Sequence, residues 1–264
     1  MRRTVPPMAG VALLSLSVSA AASPGRVVTA AAAAAADAVQ ERAAAPPSHS
    51  FYFTRAAYPG SRSMWGRRAW NTDFPKADRQ FLVVLRRVTN LDAYPEAHPL
   101  RLDDPELRRY PFLYAVEVGR MELGDVEASA LREYLLAGGF LVVDDFWGTY
   151  EWAEFERNIR KVFPDRPIVE VPPDHELFRS FDRIEEIVQV PAVNNIYGRT
   201  WEQDGRVPHV RGIFDDDGRL LVAINWNTDL GDAWEWADIP QYPLEYSTFA
   251  YQMGVNLIVY AMSH

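Results

Sequence analysis

Residues 138 to 148, GGFLVVDDFWG, constrain the fold more than any other stretch. Phe140 to Val143 are apolar without alternation, so neither face of this segment is suited to water. That pattern fits a central parallel strand covered on both sides. Gly138 and Gly139 just before it suit the left-handed turn that ends a helix. Asp144 and Asp145 follow at once, and a carboxylate leaving water at a strand end needs compensation. The segment therefore predicts an α/β layered fold that delivers two carboxylates to one edge of its sheet.

The flanking sequence continues the alternation of strands and helices. FYFTR, from Phe51, reads as a first strand. A helix opens at Phe74-Pro75 with Ala77, Phe81, Leu85 and Val88 on its buried face. Pro95, Pro99 and Pro105 predict loops, and 110–118 the next strand. Asp125 is placed to cap a helix whose face carries Val126, Ala130, Leu131, Tyr134 and Leu135. Thr149 is placed to cap another, with Trp152, Phe155, Ile159 and Val162 in a stripe and Pro164 as its stop. IVEVP (168–172) and EEIVQVP (185–191) read as strands. VRGIF and LLVAINW flank Asp215-Asp216-Asp217-Gly218, a hairpin turn signal that lacks the further ligands of a calcium loop. Thr248 to His264 reads as an apolar helix packed on the sheet, too short in its continuous apolar run for a membrane span.

The amino-terminal segment has a different character. Arg2–Arg3 precede an apolar stretch, Val11 to Ala22, with small residues at Ala20 and Ala22. This predicts a secretory signal over 1–22, cleaved near Ala22 or kept as an anchor. The alanine-rich 23–50 predicts a disordered tether, and 51–264 a single α/β domain. The net charge of −9 argues against nucleic-acid binding, because phosphates would go unneutralised. Cysteine is absent, which excludes thiol catalysis, disulfides and thiolate metal sites.

Five segments in order, WNTDFPKAD (70–78), DDPELRRYPFLYAVE (103–117), GGFLVVDDFWG (138–148), NTDLGDAWEWAD (227–238) and AYQMGVNLIVYAMSH (250–264), resemble the DUF4159 family of bacterial domains of unknown function. The resemblance covers about residues 50 to 264. It implies a flavodoxin-like, class I glutamine amidotransferase-like fold: a three-layer α/β arrangement with a mostly parallel sheet and helices on both faces. In amidotransferases the element after the glycine turn delivers a cysteine nucleophile at a strand-to-helix elbow. Here Asp144 and Asp145 stand there, so the fold transfers without the glutaminase reaction.

Open α/β sheets bind ligands at the carboxyl ends of their strands, which makes Asp144 and Asp145 candidates, with Trp147 beside them. One aspartate can equally cap the following helix while the other faces water. Asn227, Asp229 and Asp232 leave a second strand end, beside Trp234. Aromatic rings next to amides and carboxylates suit sugar binding, although tryptophans can also staple a loop to the domain. His175 can ligate a metal or make a structural hydrogen bond. Asn194 and Asn195 follow Pro191 and can line the same crevice. Asp73, before Pro75, is read as a helix cap, with a crevice-facing carboxylate as the alternative. Asp144, Asp145, His175 and Asp229 are the metal-ligand candidates.

No catalytic or phosphate-binding motif occurs, and no motif requires a cofactor. The expectation is an exported, non-catalytic module that binds a small polar ligand, a carbohydrate or an envelope protein. The alternative is a carboxylate- or metal-dependent hydrolase.

Overall fold

A computed structural model describes residues 48–61 and 69–264. The expected signal segment lies outside the described residues, as does the tether up to residue 47. The last three tether positions are bonded to the domain: Ser48 N donates to Tyr52 Oη at 3.1 Å, His49 pairs with Asp92 at 2.8 Å, and Ser50 Oγ donates to Asp92 O at 3.1 Å.

Seven strands form one mixed sheet: β1 (Thr54–Ala57), β2 (His98–Arg101), β3 (Phe112–Val116), β4 (Phe140–Asp144), β5 (Val169–Glu170), β6 (His209–Phe214) and β7 (Leu220–Trp226). Their spatial order is β2-β1-β3-β4-β7-β6-β5. β2, β1, β3, β4 and β7 run parallel, whereas β6 is antiparallel to both of its neighbours. Among the described residues, five α-helices accompany the sheet: α1 (Lys76–Val88), α2 (Asp125–Leu136), α3 (Gly148–Val162), α4 (Leu230–Glu235) and α5 (Leu244–Ser263).

All five residues of β4 are buried, as its unbroken apolar run requires. Alternate residues of the central strands enter two separate cores. Phe112, Tyr114 and Val142 pack with Phe81 of α1, Trp234 of α4 and Met253 of α5. Leu113, Ala115, Leu141 and Val143 pack with Leu131 and Leu135 of α2 and with Phe155 and Ile159 of α3. The sheet is thus the middle of three layers. Each fully buried Leu or Phe contributes roughly 1.5–3 kcal/mol, so the two cores fix the layers firmly.

Several local expectations change. Pro99 lies inside β2, which tolerates it because β2 pairs only with β1 at the sheet edge. Residues 185–191 form no strand. Their polar groups instead bind the loop after β7: Gln189 Nε2 donates to Asn227 O at 3.1 Å and Val190 N to Thr228 Oγ1 at 3.1 Å. Val126 is exposed, and α2 buries Ala128, Leu131, Tyr134 and Leu135. Asp125 is the first helical residue, after Gly124 in the cap position. Gly138 ends α2 at φ +109°, which glycine adopts without strain. Asp215 Oδ1 closes the hairpin turn by accepting from Asp217 N and Arg219 N. Among the described residues, no helix is long and apolar enough to cross a membrane.

Candidate functional site

Three neighbouring parallel strands end in the same unusual way. Glu117 after β3, Asp145 after β4 and Asn227 after β7 have φ of +52°, +51° and +61°. Left-handed backbone is uncommon without glycine, although Asp and Asn adopt it more readily than most. The bends are held by main-chain bonds, Glu117 N to Asp145 O at 3.0 Å and Asn227 N to Phe146 O at 3.1 Å. They turn the chain sharply at the carboxyl edge of the sheet, where several carboxylates are buried together.

Asp144 is fully buried, and its Oδ2 accepts from Tyr114 Oη at 2.7 Å, Leu230 N at 2.9 Å and Gly231 N at 3.1 Å. Asp229 Oδ1 accepts from Asp232 N at 2.7 Å. Together the two carboxylates satisfy the first three N–H groups of α4, which have no partner within the helix. Asp144 therefore caps a helix, but α4 rather than the helix that follows it in sequence. Its Oδ1 has no hydrogen-bond partner.

The start of α3 is dressed by its own Glu151 and by two other segments. Trp147 N donates to Glu151 Oε2, Gly148 N to Asn227 Oδ1 and Thr149 N to Asp204 Oδ1, at 2.7, 2.9 and 2.8 Å. Thr149 is thus inside the helix, not its cap.

Asp73 was read as a cap, and the structure corrects this. No side chain caps α1, whose N-cap position is Pro75. Asp73 sits at φ +60° and is buried, and its Oδ2 has no partner. Arg55 of β1 holds the preceding loop by donating to Trp70 O and Thr72 O at 3.2 and 2.8 Å. The charge of Arg55 is already matched by Asp78, which it grips at 3.1 and 2.7 Å with both partners fully buried.

Asp73, Asp229 and Asp232 each bring one carboxylate oxygen to within 4.8 Å of the others. Gly231 permits this closeness. A Cβ there would lie 2.7 Å from Asp73 Oδ2 and 3.5 Å from Asp229 Oδ1. Asp232 is itself anchored, Oδ2 accepting from Val193 N at 2.6 Å and Oδ1 from Trp236 Nε1 at 3.1 Å.

Burial and mutual repulsion make ionisation difficult here. Asp144 is raised to about 7 by burial, against the opposing hydrogen bonds from Tyr114, Gly231 and Leu230. Asp73 is pushed well above the usual carboxylate range by burial and then by Asp232, with Arg55 opposing. Asp145 is raised by burial and by Glu117, Asp73 and Asp144, and Asp229 by burial and by Asp145, Asp232 and Asp73. Burial also raises Asp232 and Glu202. Such a cluster holds its protons to higher pH than free carboxylates do, which suits proton transfer or charge neutralisation by a bound cation.

The structure thus brings Asp144, Asp145, Asn227, Asp229 and Asp232 to one edge. Trp147 is buried there, its Nε1 donating to Asp145 Oδ1 at 3.1 Å. Asn227 Nδ2 donates to Val207 O at 2.7 Å, so both ends of its amide are used structurally. The turn Val193–Asn195 touches the carboxylate cluster through Val193 N on Asp232, while Asn194 is exposed and Asn195 Nδ2 reaches Glu202 Oε1 at 3.4 Å.

Two candidates fall elsewhere. Trp234 is buried in the core, its ring 4.5 Å from Phe81 and 5.4 Å from Tyr114, so it offers no sugar platform. His175 packs on Phe214 and Tyr260, and Tyr260 Oη accepts from Leu220 N at the start of β7. The crevice lies beyond the other end of β7, about 20 Å away at ~3.3 Å per residue. His175 therefore cannot share a metal with Asp144; its Nδ1 caps a short turn by accepting from Leu177 N.

Sequence reasoning missed Tyr114, Glu117 and Glu202. The segment 103–117 that carries the family resemblance contains Tyr114 and Glu117, whereas Glu202 lies in none of the five segments.

The fold and these side chains together define an α/β protein with a cluster of buried carboxylates at the carboxyl edge of a mostly parallel sheet. The chain belongs to the DUF4159 family, a domain of unknown function, whose model matches residues 60–262. No curated protein matches the chain.

Proposed function

We propose that this chain is an exported, non-catalytic module of flavodoxin-like, class I glutamine amidotransferase-like architecture that binds a small polar ligand at the carboxyl edge of its sheet. One observation carries the reading: three adjacent strand ends, β3, β4 and β7, turn through left-handed Glu117, Asp145 and Asn227 around buried carboxylates with unpartnered oxygens. Backbone strain of this kind costs of order 1–3 kcal/mol per residue and concentrates at ligand sites. Both ends of the Asn227 amide are already bonded to backbone, which leaves Asp145 and the unpartnered oxygens of Asp73 and Asp144 to meet a guest. A carbohydrate supplies the hydroxyl donors that such acceptors need.

Titration calorimetry with a panel of sugars and polyols tests this, using the unmodified protein and Asp145→Asn. Saturable binding that the variant loses, with an unchanged melting temperature, supports the reading. Binding by neither protein refutes it. Export follows from Arg2–Arg3, the apolar stretch and Ala20–Ala22, and intact-mass measurement of protein from the cell envelope checks for cleavage near Ala22.

A carboxylate-dependent hydrolase is the second reading, favoured by the position of Asp145. It occupies the bend between β4 and α3 at φ +51°, where strand-to-helix elbows present nucleophiles. Release of nitrophenol from aryl glycosides or esters, abolished by Asp145→Asn, would replace binding with catalysis as the function.

A further inference from the structure

The three carboxylates around Gly231 differ from an ordinary acidic surface patch. They are buried, they come from two separate segments, and Arg55, whose charge bears on Asp73, is occupied by Asp78. Buried polar oxygens are nearly always satisfied, so the orphan Oδ2 of Asp73 requires an explanation. It lies over Gly231 together with Asp229 Oδ1, and a second orphan, Asp144 Oδ1, sits on the carboxylate that holds the same helix end.

We propose that Asp73, Asp229 and Asp232 ligate one hard divalent cation, of the Ca²⁺, Mg²⁺ or Mn²⁺ class, at the carboxyl edge of the sheet.

The donor set is all carboxylate, with neither imidazole nor thiolate at hand, which selects hard oxygen-preferring ions over zinc or copper. The 4.8 Å limit on the oxygen separations matches two Ca–O bonds of about 2.3–2.6 Å laid end to end, and the smaller ions need a slight contraction. The ligands are held for the role. Asp229 is fixed by its cap on α4, Asp232 by Val193 N and Trp236 Nε1, and Asp73 by the loop that Arg55 clamps. A cation would neutralise charge that the protein itself leaves uncompensated and would give a polar ligand a point of attachment. The inference deepens the proposed ligand-binding role and rests on it only in sharing the same crevice.

The test uses the full mature chain after dialysis against EDTA, at pH 8, titrated separately with MnCl₂, CaCl₂ and MgCl₂. Calorimetry follows all three ions and electron paramagnetic resonance follows free Mn²⁺. Asp73→Asn is the decisive variant, because its carboxylate Oδ2 bonds nothing and asparagine tolerates left-handed backbone. Asp217→Asn, in the acidic hairpin turn, is the control for the alternative acidic loop. We expect a single ion per chain, with affinity weakened at least about tenfold by Asp73→Asn and unchanged by Asp217→Asn. The apo melting temperature of Asp73→Asn should stay equal to or above that of the unmodified chain. Binding lost in Asp217→Asn and kept in Asp73→Asn overturns the assignment. So does the absence of binding by all three ions up to about 10 mM, beyond the weakest extracellular calcium modules. Sugar binding by a chain that binds none of the three ions would sink the cation site and leave the ligand-binding role standing.

Discussion

Replacing Asp144 by asparagine should stabilise the metal-free protein at alkaline pH and leave it nearly unchanged in acid. Asparagine keeps an oxygen to accept from Tyr114, Leu230 and Gly231, and it mimics the neutral carboxyl group. Burial raises the carboxyl from 3.8 to about 7, so folding takes up a proton between those values. For a group raised on folding, its contribution is complete below the unfolded value and is lost as pH climbs through the folded one. At about 1.36 kcal/mol per unit, the loss is on the order of 2 kcal/mol at pH 5 and levels off near 4 kcal/mol above pH 7. The variant removes this loss. Urea denaturation in EDTA at pH 5, 7 and 8.5 should therefore show its relative stability rising with pH by roughly 2–3 kcal/mol. A difference from the unmodified chain that stays constant over that range would refute the reasoning. It would mean that Asp144 is ionised in the fold at an ordinary value and that its three hydrogen bonds outweigh burial.

Other changes separate structural from functional roles. Arg55→Met should cost about 3–5 kcal/mol in urea melts by stranding buried Asp78, and adding Asp78→Leu should recover most of it; a single-variant loss under about 1 kcal/mol contradicts this. Trp234→Ala should cost about 3–5 kcal/mol as a core cavity, with crevice ligand affinity retained in the folded fraction. The reverse pattern would restore Trp234 as a binding residue. Ammonia release from glutamine should be absent in the unmodified protein and in Asp145→Cys, since the elbow lacks a thiolate and His175 lies at the far edge of the sheet; a coupled glutamate assay above a heat-killed control decides it.

The sequence by itself determined the layers. The unbroken apolar run Phe140–Val143, the stripes of α1 and α3, the glycine at the end of α2 and the Asp-Gly hairpin turn are local patterns. They require only that a helix bury one face and a central strand both. It also brought the carboxylates of 144–145 and 229–232 out of strand ends, because Asp144 and Asn227 stand just where β4 and β7 lose their apolar character. Local pattern could not decide partners distant in the chain. Asp144 caps a helix 86 residues away, Asp73 leaves its own helix to meet Asp229 and Asp232, and Trp234 turns into the core rather than the crevice. His175 looked equivalent to the aspartates until β7, running from Leu220 to Trp226, set them at opposite edges. Residues 185–191 had the composition of a strand and became a bonded loop, since Gln189 and Val190 find their partners in the loop after β7 rather than along a strand. Periodicity reports which face of an element is buried. Which edge of the sheet an element ends on, and whose side chain meets it there, is set by strand order and direction, and those exist only once the chain has closed on itself.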